Sequence, residues 1–118
     1  MFAGTLACYN THRNSARENL LAALQDSLGK DAQPEVAFLR DSTNLQIELA
    51  AAPFANLSDS AFTDRARDIA RFALTRYEKA SELDSVTVLD RDVVTRGVWK
   101  IRNTRAFSIA ELRKSVAR

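Results

Sequence analysis

The sequence predicts one α+β domain, a two-layer sandwich in which a four-stranded antiparallel sheet is covered on one face by two main helices. Three observations support this fold class. Two segments have apolar residues at helical spacing, four segments have the composition or alternation of strands, and turn-forming residues separate them. The predicted order is α-β-β-α-β-β followed by a short C-terminal helix. Residues 1–118 are expected to form a single domain, because a chain of this length can bury its own core.

The first helix is predicted over residues 16–28, where leucines recur at offsets of three and four along one helical face. Ser15 and Glu18 have the spacing of a capping box, in which each side chain accepts a hydrogen bond from a backbone N–H at the helix start. Gly29 can adopt the left-handed conformation just past the helix end. Residues 1–13 precede this helix and are expected to form a flexible segment.

A hairpin and a second, longer helix are predicted next. Residues 35–40 and 45–50 are the strands of the hairpin, and the second strand alternates apolar with polar residues. Ser58 is expected to cap the second helix, and an apolar stripe extends from Phe62 to Tyr77. This stripe predicts that the helix packs on the sheet.

The C-terminal part predicts a second hairpin and a short helix. Residues 86–94 and 98–107 have the β-branched and aromatic content of strands, and Gly97 lies between them as a turn residue. Ser108 and Glu111 form another capping box, which predicts the start of the third helix.

Composition and spacing argue against most catalytic chemistries. A single Cys, a single His and three Gly exclude disulfide frameworks, Cys/His zinc sites and Gly-rich phosphate-binding loops. We therefore expect no cofactor and no metal ion. Cys8 and His12 lack the third group that would orient them as a nucleophile and base. Asp84, Asp90 and Asp92 do not have the spacing of a calcium loop, but they leave open a small enzyme with a carboxylate site.

The basic charge is concentrated in the C-terminal part. The chain has 17 basic and 15 acidic side chains, but residues 84–118 alone have eight basic and four acidic ones. We therefore predict a binding site for an anionic partner at Arg96, Lys100, Arg102 and Arg105. Strand alternation would place Lys100 and Arg102 on one face, and Trp99 and Ile101 on the other. Nucleic acid is the alternative partner, although a single-strand platform needs aromatic and basic groups on the same surface.

The N-terminal segment contains a pattern that bears on the cellular compartment of the protein. Residues 5–8 (Thr-Leu-Ala-Cys) resemble the end of a bacterial lipoprotein signal, with Cys8 as the residue that would be lipidated, although Thr5 and the missing basic start depart from that pattern. An excess of Arg over Lys, 13 to 4, favours a bacterial source. A trimmed signal would indicate the periplasm or cell envelope, and an ordinary Cys8 the cytoplasm. No segment has the length and apolarity of a transmembrane helix.

These observations predict a small non-enzymatic domain that acts by binding, as an extracytoplasmic or lipoprotein-derived accessory module. An acidic protein or another anionic surface is the expected partner. A homodimer formed through an edge strand is a further expectation, because an unpaired strand edge is a template for another strand.

Overall fold

The computed structural model describes residues 2–39, 43–51, 54, 56–95 and 98–116, with side-chain detail for 15–29, 31–39, 43–51, 54, 56–92 and 100–114. Helices and strands follow one another in the predicted order. They are α1 (Phe2–Leu28), β1 (Glu35–Leu39), β2 (Asn44–Ala50), α2 (Asp59–Arg76), β3 (Ser85–Thr95), β4 (Val98–Ser108) and α3 (Ile109–Val116). Two short 3₁₀ segments, Lys30–Ala32 and Ala80–Glu82, precede β1 and β3.

The sheet is mixed, and the prediction of an antiparallel sheet throughout is wrong for its central pair. The strands lie in the order β1-β2-β3-β4, with β1 and β2 antiparallel and β3 and β4 antiparallel. The central strands β2 and β3 are parallel, with Ile47 opposite Val88. The connection explains the difference, because α2 returns the chain to the end of the sheet at which β2 began, as in a βαβ crossover.

The helix α1 is longer than the sequence predicts. It begins at Phe2, so Ser15 lies inside the helix and does not cap it, and residues 2–13 of the segment predicted to be flexible have helical backbone. No Pro or Gly interrupts residues 5–15, so nothing in the chain forces a helix start at Ser15. The predicted end is confirmed, because Gly29 has a φ of 85° and its N–H donates to the carbonyl of Gln25 at 3.0 Å.

The predicted starts of the other two helices are confirmed by their caps. The Ser58 side chain accepts a hydrogen bond from the Ala61 N–H at 3.2 Å, and that of Ser108 accepts one from the Glu111 N–H at 3.1 Å. Each cap satisfies a backbone donor that has no partner within the helix.

The core lies between one face of the sheet and the helices. Its largest fully buried apolar side chains come from α1, all three helix-facing positions of β2, two of β3, and α3: Leu20, Leu24, Leu45, Ile47, Leu49, Val86, Val88 and Leu112. Small residues on α2, among them Ala66, Ala70 and Ala73, are also buried and allow the helix to approach the sheet closely. The helix α2 contacts both β3 and β4.

Candidate interaction surface at the β4 edge

The two edges of the sheet differ in length and in protection. The edge strand β1 has five residues, and the carbonyl of its Val36 accepts a hydrogen bond from Arg17 Nε at 3.0 Å. The edge strand β4 has eleven residues, and no described strand pairs with its outer side. A helix side chain therefore covers part of the short edge, while the long edge is open.

The first residues of β4, starting at Val98, belong to a two-stranded ribbon that extends past the rest of the sheet. Pairing between β2 and β3 ends where Ala50 lies opposite Arg91. Beyond that point β3 and β4 continue as a pair as far as Thr95 and Val98. Because a two-stranded ribbon has few neighbours, its stability depends on the sheet from which it extends.

A β-bulge separates this ribbon from the rest of β4, which starts at Asn103. Asp90 lies opposite Asn103 and Arg91 opposite Ile101, so the pairing passes over Arg102. The Asp90 carboxylate accepts hydrogen bonds from the Asn103 backbone N–H at 2.7 Å and from its Nδ2 at 3.4 Å. Asp90 is fully buried, and its two side-chain oxygens accept the hydrogen bonds from Asn103 at the bulge.

The bulge lies beside three consecutive exposed side chains, of which one is apolar and two are basic. Lys100, Ile101 and Arg102 are all exposed, and Ile101 has 57% of its surface accessible, one of the most exposed large apolar residues in the described part of the chain. Neither Lys100 nor Arg102 forms an ion pair with any residue whose side chain is described. We call these three residues the basic edge.

Arg105, unlike Lys100 and Arg102, has several interaction partners in the described part of the structure. Its Nε donates to Thr63 Oγ1 at 2.8 Å, its Nη1 donates to the Thr104 carbonyl at 2.9 Å, and its guanidinium lies 5.1 Å from the centre of the Phe62 ring. Asp59 is 3.9 Å from its Nη2. Arg105 therefore connects β4 to the first turn of α2.

The remaining predicted residues fall outside the described side chains. Arg96 follows β3 in the sequence and lies outside the described residues, and the side chain of Trp99 is not described either. Cys8 and His12 lie in the helical backbone of α1, but their side chains are outside the described part of the structure. Lipidation of Cys8 thus stays a prediction.

Two further exposed cations follow β4 in the chain. Arg113 and Lys114 lie in the last turn of α3, where positive charge suits the helix dipole. Neither forms an ion pair within the described part of the chain. The buried Leu112 and Ile109 fix α3 against α2 and β4.

The three carboxylates considered for an enzyme do not come together. Asp84 precedes β3 at one end of the sheet, and Asp90 lies about 20 Å away along the strand at its rise per residue. Asp92 is exposed and lies opposite Lys100 in the strand register. Among the described residues no group of three or more His, Cys, Asp or Glu side chains is arranged to hold a metal ion.

The sequence did not predict a pocket that lies at the Glu35 end of β1. This open pocket of about 750 Å³ is lined by Ala22, Gln25, Asp26, Gln33, Pro34, Glu35 and Arg91. Arg91 is 8% exposed, donates from Nη2 to the Gln33 carbonyl at 3.2 Å, and has its Nε 4.0 Å from Glu48 Oε1. Gln33 has a φ of 43°, in the left-handed region. No local signal in the sequence links Arg91 with a residue 58 positions away.

No described helix combines the length and apolarity needed to cross a lipid bilayer. Comparisons of the chain with protein-family models, with curated proteins and with solved structures found no match. The function must therefore be argued from the geometry and chemistry of the described surface.

Proposed function

We propose that this protein is a non-catalytic binding domain that uses the basic edge to contact an acidic segment of another protein. The observation that supports the proposal is a run of three exposed side chains on the long open edge of the sheet, namely Ile101 and the neighbouring cations Lys100 and Arg102, which form no ion pair with any described side chain. Isolated exposed cations are common, but an edge strand with an exposed aliphatic side chain on one face and exposed cations beside it offers both apolar burial and charge attraction to a segment that runs along it.

The mixture of charge and apolar surface favours a protein partner over nucleic acid. Phosphate backbones are recognised by basic groups, and single-stranded bases add stacking on aromatic rings. The described side chains of the basic edge include no aromatic ring. An aliphatic side chain such as Ile101 matches an acidic protein segment that also has apolar residues.

Arg105 is excluded from the contact surface in this proposal. Its guanidinium already has hydrogen-bond partners on α2 and on its own strand. Recruiting it to a partner would break those bonds, whereas Lys100 and Arg102 lose no described ion pair on binding.

Fluorescence anisotropy with three labelled probes tests the proposal. The probes are a peptide of alternating Glu and Val, a single-stranded oligonucleotide, and anionic phosphatidylglycerol vesicles. We expect the peptide to bind most tightly, with an affinity that falls as salt rises through the physiological range. Tighter binding of the oligonucleotide or of the vesicles than of the peptide would overturn the proposal.

Matched variants locate the contact. The double variant K100Q/R102Q should weaken peptide binding by about tenfold, the equivalent of losing two modest charge contacts. I101S should weaken it by about threefold, because part of an apolar contact is lost. The control R65Q/R76Q removes the same charge from two exposed positions of α2 and should change the affinity by less than about twofold. Equal losses in both double variants would show a net-charge effect and contradict the assigned surface.

A further inference from the structure

We infer that the acidic partner segment binds as an added β-strand along the outer edge of β4, from Val98 to the bulge. This inference rests on the proposed function and assigns it a geometry. The partner would be an extended peptide whose backbone pairs with Val98–Arg102 and whose carboxylates lie near Lys100 and Arg102. Strand addition of this kind obtains affinity from main-chain hydrogen bonds and specificity from side chains at alternate positions.

The backbone of this segment supports the inference first. β4 is a strand from Val98; one side of it pairs with β3, with register shifts between Val93 and Thr95 and between Asp90 and Arg91, and the other side faces no described strand. Its outer N–H and C=O groups are therefore available to a new strand. Past the bulge, by contrast, the Thr104 carbonyl already accepts a hydrogen bond from the Arg105 side chain.

The shape of the sheet supports it second. Past Arg91 the molecule is a two-stranded ribbon, since β2 ends at Ala50. Two strands alone are marginally stable in water, and a third strand adds both hydrogen bonds and a neighbour for side-chain packing. An added strand would convert this ribbon into a three-stranded segment.

Charge selects which side of the ribbon the strand joins. The β4 side has the exposed cations Lys100 and Arg102, while the β3 side has the exposed Asp92. An acidic strand is attracted to the β4 side and repelled from the β3 side.

Charge also disfavours a second copy of this chain as the occupant. Antiparallel pairing of two β4 strands about a twofold axis at Ile101 would place Lys100 of one copy opposite Arg102 of the other. Like charges directly opposite each other destabilise a strand pair. A homodimer formed through this edge would thus bring like charges together. An acidic partner would instead bring opposite charges together.

Backbone-modified peptides separate strand addition from simple charge attraction. The probe is the alternating Glu and Val peptide, and its control is the same sequence with N-methylated amides along both edges, which keeps every carboxylate but removes the hydrogen-bond donors. With the full chain, N-methylation should weaken binding by at least about tenfold, because several main-chain hydrogen bonds are lost. Hydrogen exchange should slow at amides of Val98–Arg102 when the unmodified peptide binds, and K100Q/R102Q should abolish that protection.

The outcomes distinguish the two proposals. Equal affinity for both peptides would overturn strand addition while leaving the basic edge as a charge-based surface. Protection from exchange at β1 or at the β3 side of the ribbon would also overturn it. Absence of binding by both peptides at low salt would overturn the proposed function itself, and strand addition with it.

Discussion

The buried carboxylate of Asp90 accepts the backbone N–H of Asn103 at 2.7 Å, so a side chain of one strand takes the place of a ladder hydrogen bond in its neighbour. The register passes over Arg102 at this point. A single buried acidic residue thus supplies the hydrogen-bond acceptors for Asn103 at the bulge, next to the exposed Arg102.

Replacing Asp90 should destabilise the fold. D90A removes both acceptors and leaves the Asn103 N–H without its partner, so we expect the free energy of unfolding to fall by about 2–3 kcal/mol. Urea denaturation measures the change. The control D92A, at an exposed position two residues along the strand, should change stability by less than about 0.5 kcal/mol. Equal effects of the two variants would contradict the role assigned to Asp90.

Arg105 and Thr63 should be energetically coupled. The Arg105 Nε to Thr63 Oγ1 hydrogen bond of 2.8 Å joins β4 to α2. A double-mutant cycle of R105M, T63V and the combined variant should give a coupling of about 1 kcal/mol in the free energy of unfolding. Because Arg105 is assigned to the fold, R105M should leave binding of the alternating Glu and Val peptide within about twofold. A large loss of peptide binding with no coupling to Thr63 would return Arg105 to the partner surface.

Arg17 should protect the short edge of the sheet. Its hydrogen bond to the Val36 carbonyl connects α1 to β1, and R17S should lower the free energy of unfolding by about 1 kcal/mol. The neighbouring exposed residue supplies the control, because E18S changes a side chain with no described contact to the sheet. Thermal or urea unfolding compares the two variants. Stability of R17S at the level of E18S would show that the hydrogen bond contributes nothing.

Gly29 should resist substitution through its backbone conformation. A Cβ at this position would meet no atom within 4 Å, so a clash is not the reason. The cost of G29A is the left-handed backbone, with a φ of 85°, and we expect about 1 kcal/mol of destabilisation. G29N should lose less, since Asn tolerates this region better than Ala does. Identical stability of G29A and the native chain would contradict this account.

Local signals in the sequence were sufficient for the element order and for three helix boundaries. Gly29, Ser58 and Ser108 each act on backbone groups within a few residues, so their role can be deduced without knowing the rest of the fold. The Ser15 capping box failed because the same two side chains are compatible with a helix interior when nothing upstream stops the helix.

Relations between distant segments were less accessible from the sequence. The direction of β2 relative to β3 depends on where α2 returns the chain, and the alternation within each strand is the same for either direction. The hydrogen bond from Arg105 to Thr63 depends on α2 lying over β4, and the two residues are 42 positions apart in the chain. The sequence placed the candidate residues Lys100, Arg102 and Arg105 on one strand, but it could not show that Arg105 contacts α2 while the other two are exposed.

The parallel central pair has a consequence for the order of folding. Each outer pair is a hairpin that can form from neighbours in the chain, whereas β2 and β3 meet only after a connection of 34 residues has closed between Ala50 and Ser85. We therefore expect substitutions in the buried face of α2 to slow folding, and substitutions within the β3–β4 ribbon mainly to speed unfolding. In kinetic terms, the docking of one helix joins two independent hairpins into a single sheet.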